Sequence, residues 1–264
     1  MFSALGIRPR NPNESHRAAT QLELFFDLVA VIGIAATTAA FHHAISEAHG
    51  LQYLPNFLFV FVGIWWAWMN HAWYSSAFDN DDPVHRVLTF VIMLGFPVFT
   101  AGAESILVRE GLFNGVIGWT IMRFGMVGLW LRAAAASTGR LRRTALTYAV
   151  GITLTQSLWW VFFFIIPKYD ATVFLATGLA IYLVEFAVPV VAERGSPTPW
   201  HRHHMIERYG LLTFIILGEV LLSVSMMLGT LYDGHAEPGL IGQRCRALSS
   251  WSASGGCISS PKTI

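Results

Sequence analysis

Residues 22–44 read LELFFDLVAVIGIAATTAAFHHA, and this apolar run decides the class of fold. A helix over this run rises about 35 Å, enough to cross a hydrocarbon core about 30 Å thick. The run does not alternate with the period of two that marks a barrel strand. Because a bilayer admits only helices and closed barrels, the run predicts a transmembrane helix.

Six further apolar stretches follow the first one. They are separated by charges and helix-breaking residues, such as Asp79 to Pro83 and Gly195 to Pro199, which are typical of turns. We therefore predict an all-α, polytopic transmembrane helix bundle over residues 21–232, between a cytoplasmic segment at residues 1–20 and a polar tail at residues 233–264. Its seven predicted spans lie near Leu22–Ala44, Leu51–Tyr74, Val87–Val108, Leu112–Ser137, Thr144–Ile166, Ala171–Ala192 and Tyr209–Leu231.

The composition argues against several other classes of protein. Apolar residues make up 54% of the 264 positions and charged residues only 12%, too few charges to cover a soluble surface. The net charge of +1 does not indicate a nucleic-acid partner. Both cysteines, Cys245 and Cys257, lie in the tail, so we expect neither a disulfide framework nor a metal–cysteine cluster. The expected partner is the lipid bilayer, and no cofactor or metal is indicated.

The distribution of Lys and Arg predicts the orientation. One side of the membrane receives eleven arginines, and the other receives only Arg109 and Lys168. Because basic residues concentrate in cytoplasmic loops, we predict a multi-pass protein of the inner membrane with a cytoplasmic N-terminus. The eleven residues are Arg8, Arg10, Arg17, Arg86, Arg132, Arg140, Arg142, Arg143, Arg194, Arg202 and Arg208.

Three motifs occur in order along the chain. They are LELFFDLV at residues 22–29, WWAW at 65–68 followed by FDNDD at 78–82, and HMIERYGL at 204–211 running on to LGE at 217–219. Together they resemble the bacterial low-temperature-requirement protein A family of multi-pass membrane proteins. The name of that family records a cold-growth phenotype, so the resemblance implies a membrane bundle but no particular reaction.

The resemblance also implies a longer protein. Members of the family have further spans after the LGE motif, one of them with the sequence Trp-Trp-Leu-Tyr-Phe. This chain instead has a Ser/Gly/Cys tract at Arg244–Ile264. We expect this tract to be a shifted reading frame, because a two-base shift can convert residues 254–258 into that sequence. The nucleotide sequence decides this point.

Ionisable side chains inside the predicted spans are candidates for function, because a charge in lipid is costly unless it is paired or faces water. Glu23 and Asp27 are four residues apart and share one helix face, with Asp27 one turn deeper. Glu185 lies in the cytoplasmic half of the sixth span. If these acids converge, their excess of negative charge suits a proton or a cation.

Arg123 and Glu219 carry opposite charge at similar predicted depth. Glu219 lies eleven residues past Arg208, and Arg123 lies eleven residues past Leu112, so both fall near the midplane. An isolated charge is costly at low dielectric constant. We therefore predict an ion pair between the fourth and seventh spans, which is either structural or opens to bind an ion or a proton.

Two polar segments lie at the predicted cytoplasmic face. The FDNDD segment has oxygen ligands for a divalent ion but lacks the spacing of a calcium loop, so its acids are predicted to cap the third span. In the histidine run at residues 201–204, His204 with Glu207 is the only pair with a sensible helical spacing. The candidate residues of this face are Asp79, Asp81, Asp82, His204, Glu207 and Arg208.

Three classes of function agree with these features. The first is a proton- or cation-coupled transporter, or a channel-like protein, that uses the intramembrane acids. The alternative is a membrane-embedded enzyme acting on a lipid substrate at the FDNDD face, and the third is a structural or regulatory membrane protein. Asp27, Glu219 and Arg123 motivate the transporter, which we rank first, and the sequence contains no nucleotide-binding loop, serine-nucleophile elbow or HExxH motif.

Overall fold

The structure is a computed structural model that describes residues 8–9, 19–46, 49–79, 82–166 and 170–232. The predicted tail at 233–264, Asp81 and most of the segment 1–20 lie outside these described residues. The chain divides into two compact units, Met1–Ile216 and Leu217–Ile264. The helices are α1 Gln21–Ser46, α2 Gly50–Ala77, α3 Pro83–Thr100, α4 Ala103–Leu107, α5 Phe113–Ala136, α6 Gly139–Ile165, α7 Ala171–Glu193 and α8 Arg202–Tyr232.

The predicted all-α class is confirmed, and a helix occupies each of the seven predicted spans. Within the described residues, five helices are long and apolar enough to cross a membrane: α1, α2, α3, α6 and α7. The helices in the other two predicted spans are also long, 24 residues for α5 and 31 for α8. Two short strands, β1 Arg8–Pro9 and β2 Phe78–Asp79, pair antiparallel.

The third predicted span, Val87–Val108, is divided in the structure. The helix α3 ends at Thr100, and the short helix α4 begins at Ala103. Pro97 lacks the N–H that would continue the helical ladder, and Gly102 has low helix propensity, so a break between them is favourable. The continuous apolar composition of the stretch concealed this break.

The helices of the first unit pack mainly against their neighbours in sequence. The pairs α1–α2, α5–α6 and α6–α7 are in contact, and α3 packs against α5. The α3–α5 contact is close because of Gly118, where an added Cβ would overlap the backbone of Phe99. Small residues of this kind allow helix backbones to approach closely in membranes.

One end of the first unit gathers the ends of several helices. Asp82 before α3 contacts Arg132 near the end of α5, Thr144 of α6 donates to the carbonyl of Ser196 after α7, and Ser76 of α2 contacts His201 before α8. We call this the arginine-rich end, because the predicted arginine-bearing loops lie here. The candidate site is built close to it.

Candidate functional site

Glu23, in the first turn of α1, takes part both in a helix cap and in contacts with the bundle interior. The N–H of Thr20 donates to Glu23 Oε2 at 2.7 Å, and the N–H of Glu23 donates to Thr20 Oγ1 at 3.2 Å. This reciprocal pair is a capping box, which satisfies two backbone donors at the helix start. It leaves Oε1 of Glu23 facing His204 Nε2 at 3.3 Å and Arg208 Nη1 at 3.4 Å.

Asp27 lies one turn deeper and joins three helices. Its side chain is fully buried, and its Oδ1 accepts hydrogen bonds from Arg208 Nη2 at 2.6 Å and from Trp68 Nε1 at 2.5 Å. Its Oδ2 has no hydrogen-bond partner in the part of the chain that the structure describes. Glu23 and Asp27 therefore both contact Arg208, which confirms that they share one face of α1.

The third component is a buried face of α8. His204 and Arg208 are one turn apart, and both are completely buried. Arg208 lies between the two carboxylates, whereas His204 approaches only Glu23, at ion-pair distance but without the alignment of a hydrogen bond. We call Glu23, Asp27, Trp68, His204 and Arg208 the α1–α8 cluster.

The structure corrects the predicted pairing of His204 with Glu207. Glu207 is exposed, while His204 is buried and faces Glu23. Three residues along a helix correspond to about 300°, so the two side chains diverge by about 60°. The buried face of α8 instead continues from His204 to Arg208, and Arg208 lies in the interior rather than in an exposed basic loop.

Two further buried histidines extend the polar interior toward α3. His71 of α2 stacks on Phe26 with the ring centroids 3.8 Å apart, and its Nε2 lies 3.3 Å from Thr89 Oγ1. His85 follows at 6.3 Å between ring centroids. Neither residue was among the candidates predicted from the sequence, although His71, Ser75 and Ser76 form a buried polar face over two adjacent turns of α2.

A second buried ion pair joins α5 and α7. Arg123 Nη2 and Glu185 Oε2 are 2.7 Å apart, and both side chains are almost completely buried. Trp159 Nε1 donates to Glu185 Oε1 at 3.0 Å, and the Arg123 guanidinium lies 4.1 Å from the centroid of the Trp119 ring. Such a cation–π contact adds to the stabilisation of a desolvated arginine.

This pair replaces the predicted pairing of Arg123 with Glu219. Residue counting gives only the depth of a side chain, and it does not distinguish between acids on different helices, such as Glu185 on α7 and Glu219 on α8. In the structure α5 packs against α6 and α6 against α7, and the acid that meets Arg123 is Glu185. Glu219 belongs to the second unit, Leu217–Ile264.

The predicted cap of the third span is confirmed for one of its acids. Asp82 Oδ1 accepts from the N–H groups of Val84 and His85, and both carboxylate oxygens lie 3.0 Å from Arg132 Nη2. Partial burial opposes ionisation, but the His85 N–H and Arg132 outweigh it and lower the pKa of Asp82 below its ordinary value. The backbone of Asp79 belongs to strand β2.

The Asp82→Ala variant is expected to lose about 1 kcal/mol or slightly more of unfolding free energy, because an N-cap contributes about that amount. Because the pKa of Asp82 is lowered in the folded state, the full stabilisation is present above the unfolded-state pKa of about 3.9. The stabilisation is lost as the pH falls through the folded-state pKa. Thermal unfolding at several pH values measures it. Asp170→Ala is the control, since Asp170 caps α7 through Val173 N–H with no described arginine contact. An equal loss in both variants would contradict a role for Arg132.

Glu193, at the arginine-rich end, forms a set of hydrogen bonds that hold neighbouring segments together. The Glu193 carboxylate accepts from Tyr148 Oη at 2.8 Å, from the Thr198 N–H at 2.6 Å and from the Thr198 hydroxyl at 2.9 Å. Trp73 Nε1 lies 3.2 Å from Thr198 Oγ1. These contacts fix the segment between α7 and α8 against α2 and α6, and thereby help to hold α8 in place.

The enzymatic alternative placed Asp79, Asp81, Asp82, His204 and Glu207 at one cytoplasmic face, and of these Asp81 lies outside the described residues. Asp82 caps α3 and contacts Arg132. His204 contacts Glu23, while Glu207 is exposed. Among the described residues, no group of three or more His, Cys, Asp or Glu side chains is arranged to hold a metal ion. The contacts therefore do not assemble these residues into one site.

The helices and their buried charges define a polytopic α-helical membrane protein with a charged interior. The chain belongs to the family described as bacterial low temperature requirement A protein (LtrA), whose model matches residues 18–251. No curated protein and no solved structure is similar enough to the chain to count as a match. The motifs LELFFDLV, WWAW and HMIERYGL, which carry the resemblance, supply every residue of the α1–α8 cluster.

Proposed function

We propose that the protein is a proton-coupled membrane transporter or channel-like protein, and that the α1–α8 cluster is its proton site. The observation that carries this proposal is the unequal charge of the cluster. Glu23 and Asp27 supply two carboxylates, and Arg208 supplies one fixed positive charge, all at 3% exposure or less. With both acids ionised and His204 neutral, the five side chains of the cluster carry one net negative charge among themselves.

A net charge in a buried site is costly. One proton, held on His204 or on Glu23, removes the excess. The two groups face each other at 3.3 Å, near the reach of about 2.6–3.2 Å within which a proton passes directly between two groups. Because an imidazole and a carboxylate can each hold the proton, the pair suits reversible proton uptake.

The position of Arg208 favours a proton over a metal cation. Its guanidinium lies between the two carboxylates, 2.6 Å from Asp27 and 3.4 Å from Glu23. A sodium or calcium ion placed there would meet a fixed positive charge, and it would need more oxygen ligands than two carboxylates supply. Loss of the proton from Glu23 or His204 strengthens the attraction of Arg208 to Glu23 and so changes the contact between α1 and α8.

Proton binding and proton movement are tested separately. In infrared difference spectra between about pH 5 and about pH 8, we expect a protonation signal in the wild type that changes in Glu23→Gln and in His204→Gln. In proteoliposomes with an internal pH-sensitive dye, an imposed pH gradient is expected to decay faster with the wild type than in empty vesicles. Glu23→Gln is expected to abolish this increase, because it fixes a neutral side chain at the site.

Glu207→Gln is the matched control, since Glu207 is an exposed acid on the same helix, three residues from His204. It is expected to behave like the wild type in both assays. Unchanged spectra in Glu23→Gln and His204→Gln would exclude the cluster as a proton site. A flux that follows a sodium or potassium gradient and ignores both pH and Glu23→Gln would replace the proton with a cation.

A further inference from the structure

A groove on the outer surface of the first unit lies between α6 and α7. Its walls include Val150, Gly151 and Leu154 of α6 and Val184, Ala187 and Val188 of α7, and its volume is about 490 Å³. At Gly151 the two walls meet closely, because a Cβ at this position would lie 2.6 Å from Val188 Cγ1. The groove is therefore a long aliphatic surface open to the hydrocarbon region.

Three arginines continue the helix faces that line this groove. Arg142 and Arg143 precede Leu146 and Thr147 by one turn each, so they lie on the groove-lining face of α6. Arg194 follows Val191 of α7 by three residues and continues the opposite wall. All three lie beyond the same end of the groove, the arginine-rich end.

These arginines are exposed, and no carboxylate contacts them within the described residues. Glu193, the acid adjacent to Arg194, is already bonded to Tyr148 and Thr198. Three positive charges therefore stand at the polar end of an apolar groove without a carboxylate counterion among the residues that the structure describes. This arrangement is complementary to one molecule that carries both a phosphate and an alkyl chain.

We propose that the α6–α7 groove binds an anionic phospholipid, with an acyl chain along the groove and the headgroup phosphate at Arg143 and Arg194. The site rests on the groove and its arginines alone and is independent of the α1–α8 cluster. Guanidinium groups bind phosphate through charge-assisted, often bidentate hydrogen bonds. Clusters of basic residues at a membrane surface prefer anionic lipids to zwitterionic ones.

The test uses the full chain in vesicles of phosphatidylcholine containing phosphatidylglycerol, followed by native mass spectrometry of the lipid that stays bound. We expect the wild type to retain one phosphatidylglycerol in preference to phosphatidylcholine. The double variant Arg143→Gln/Arg194→Gln is expected to bind phosphatidylglycerol about thirtyfold more weakly, from two surface arginines. Ala187→Phe, which fills the groove and keeps the arginines, is expected to lose it as well.

Arg202→Gln and Leu183→Phe are the controls, an exposed arginine at the same end and an exposed residue of α7 outside the groove lining. Both are expected to retain phosphatidylglycerol like the wild type. A loss in the arginine variant without a loss in Ala187→Phe would mean diffuse attraction to the surface and would overturn the site. A loss only in Ala187→Phe would show that the arginines do not bind the headgroup phosphate. Equal retention of both lipids by the wild type would show the same.

Discussion

Replacement of Arg208 by glutamine is expected to destabilise the protein by about 3–5 kcal/mol, the range observed when one partner of a buried ion pair is removed. The change takes the only fixed positive charge from the α1–α8 cluster. It leaves Asp27, fully buried, with Trp68 as its remaining described partner. Thermal unfolding of the detergent-solubilised protein measures the loss.

A second change separates this effect from a general loss of packing. In Arg208→Gln/Asp27→Asn, the stranded carboxylate becomes a neutral amide, so the double variant is expected to be more stable than Arg208→Gln alone. Arg202→Gln removes an exposed arginine from the same helix and is expected to change the stability by less than about 0.5 kcal/mol. If Asp27→Asn adds its own cost instead of restoring stability, the two residues are not coupled.

The second large effect is expected at the pair of Arg123 and Glu185. Glu185→Gln leaves the Arg123 guanidinium buried with the Trp119 ring as its partner, and we expect a loss of about 3 kcal/mol or more. Arg123→Gln is expected to cost a similar amount, because it strands the carboxylate. The double variant is expected to cost clearly less than the sum of the two single changes, which is the signature of coupling.

The proton flux of these variants distinguishes a structural from a functional pair. If the pair only holds α5 against α7, the double variant regains both stability and the flux assigned to the α1–α8 cluster. If it takes part in transport, stability returns and flux does not. Glu104→Gln, at an exposed glutamate of α4, is the control and is expected to change neither. Additive single effects on stability would show that the 2.7 Å contact contributes nothing.

The helices were predictable because each apolar run is long and its ends carry turn residues. The shared face of Glu23 and Asp27 was predictable for the same kind of reason, since it depends only on the helical period. The Thr20–Glu23 capping box was also visible, as Thr-x-x-Glu immediately before an apolar run, but the sequence analysis did not use it. Local chemistry accounts for all three features.

Contacts between helices distant in sequence were not predictable in this way. Trp68 belongs to a group of tryptophans that is typical of an interfacial belt, and only the packing of α2 against α1 makes it a hydrogen-bond donor to Asp27. The basic surroundings of Arg208 indicated an exposed loop, yet it is buried. The cost of an isolated charge in the membrane correctly predicted that Arg123 has an acidic partner. Which acid it contacts depends on the rotation of each helix about its axis.

The bond between Asp27 and Arg208 joins residues that are 181 positions apart, and this separation has a consequence for biosynthesis. At a usual translation rate, roughly 10–40 s pass between the synthesis of the two residues. Trp68 emerges much earlier, 41 residues after Asp27, and can engage the carboxylate while the ribosome is still producing α3 to α7. The first helix to leave the ribosome therefore reaches its final electrostatic environment only when the start of α8 arrives.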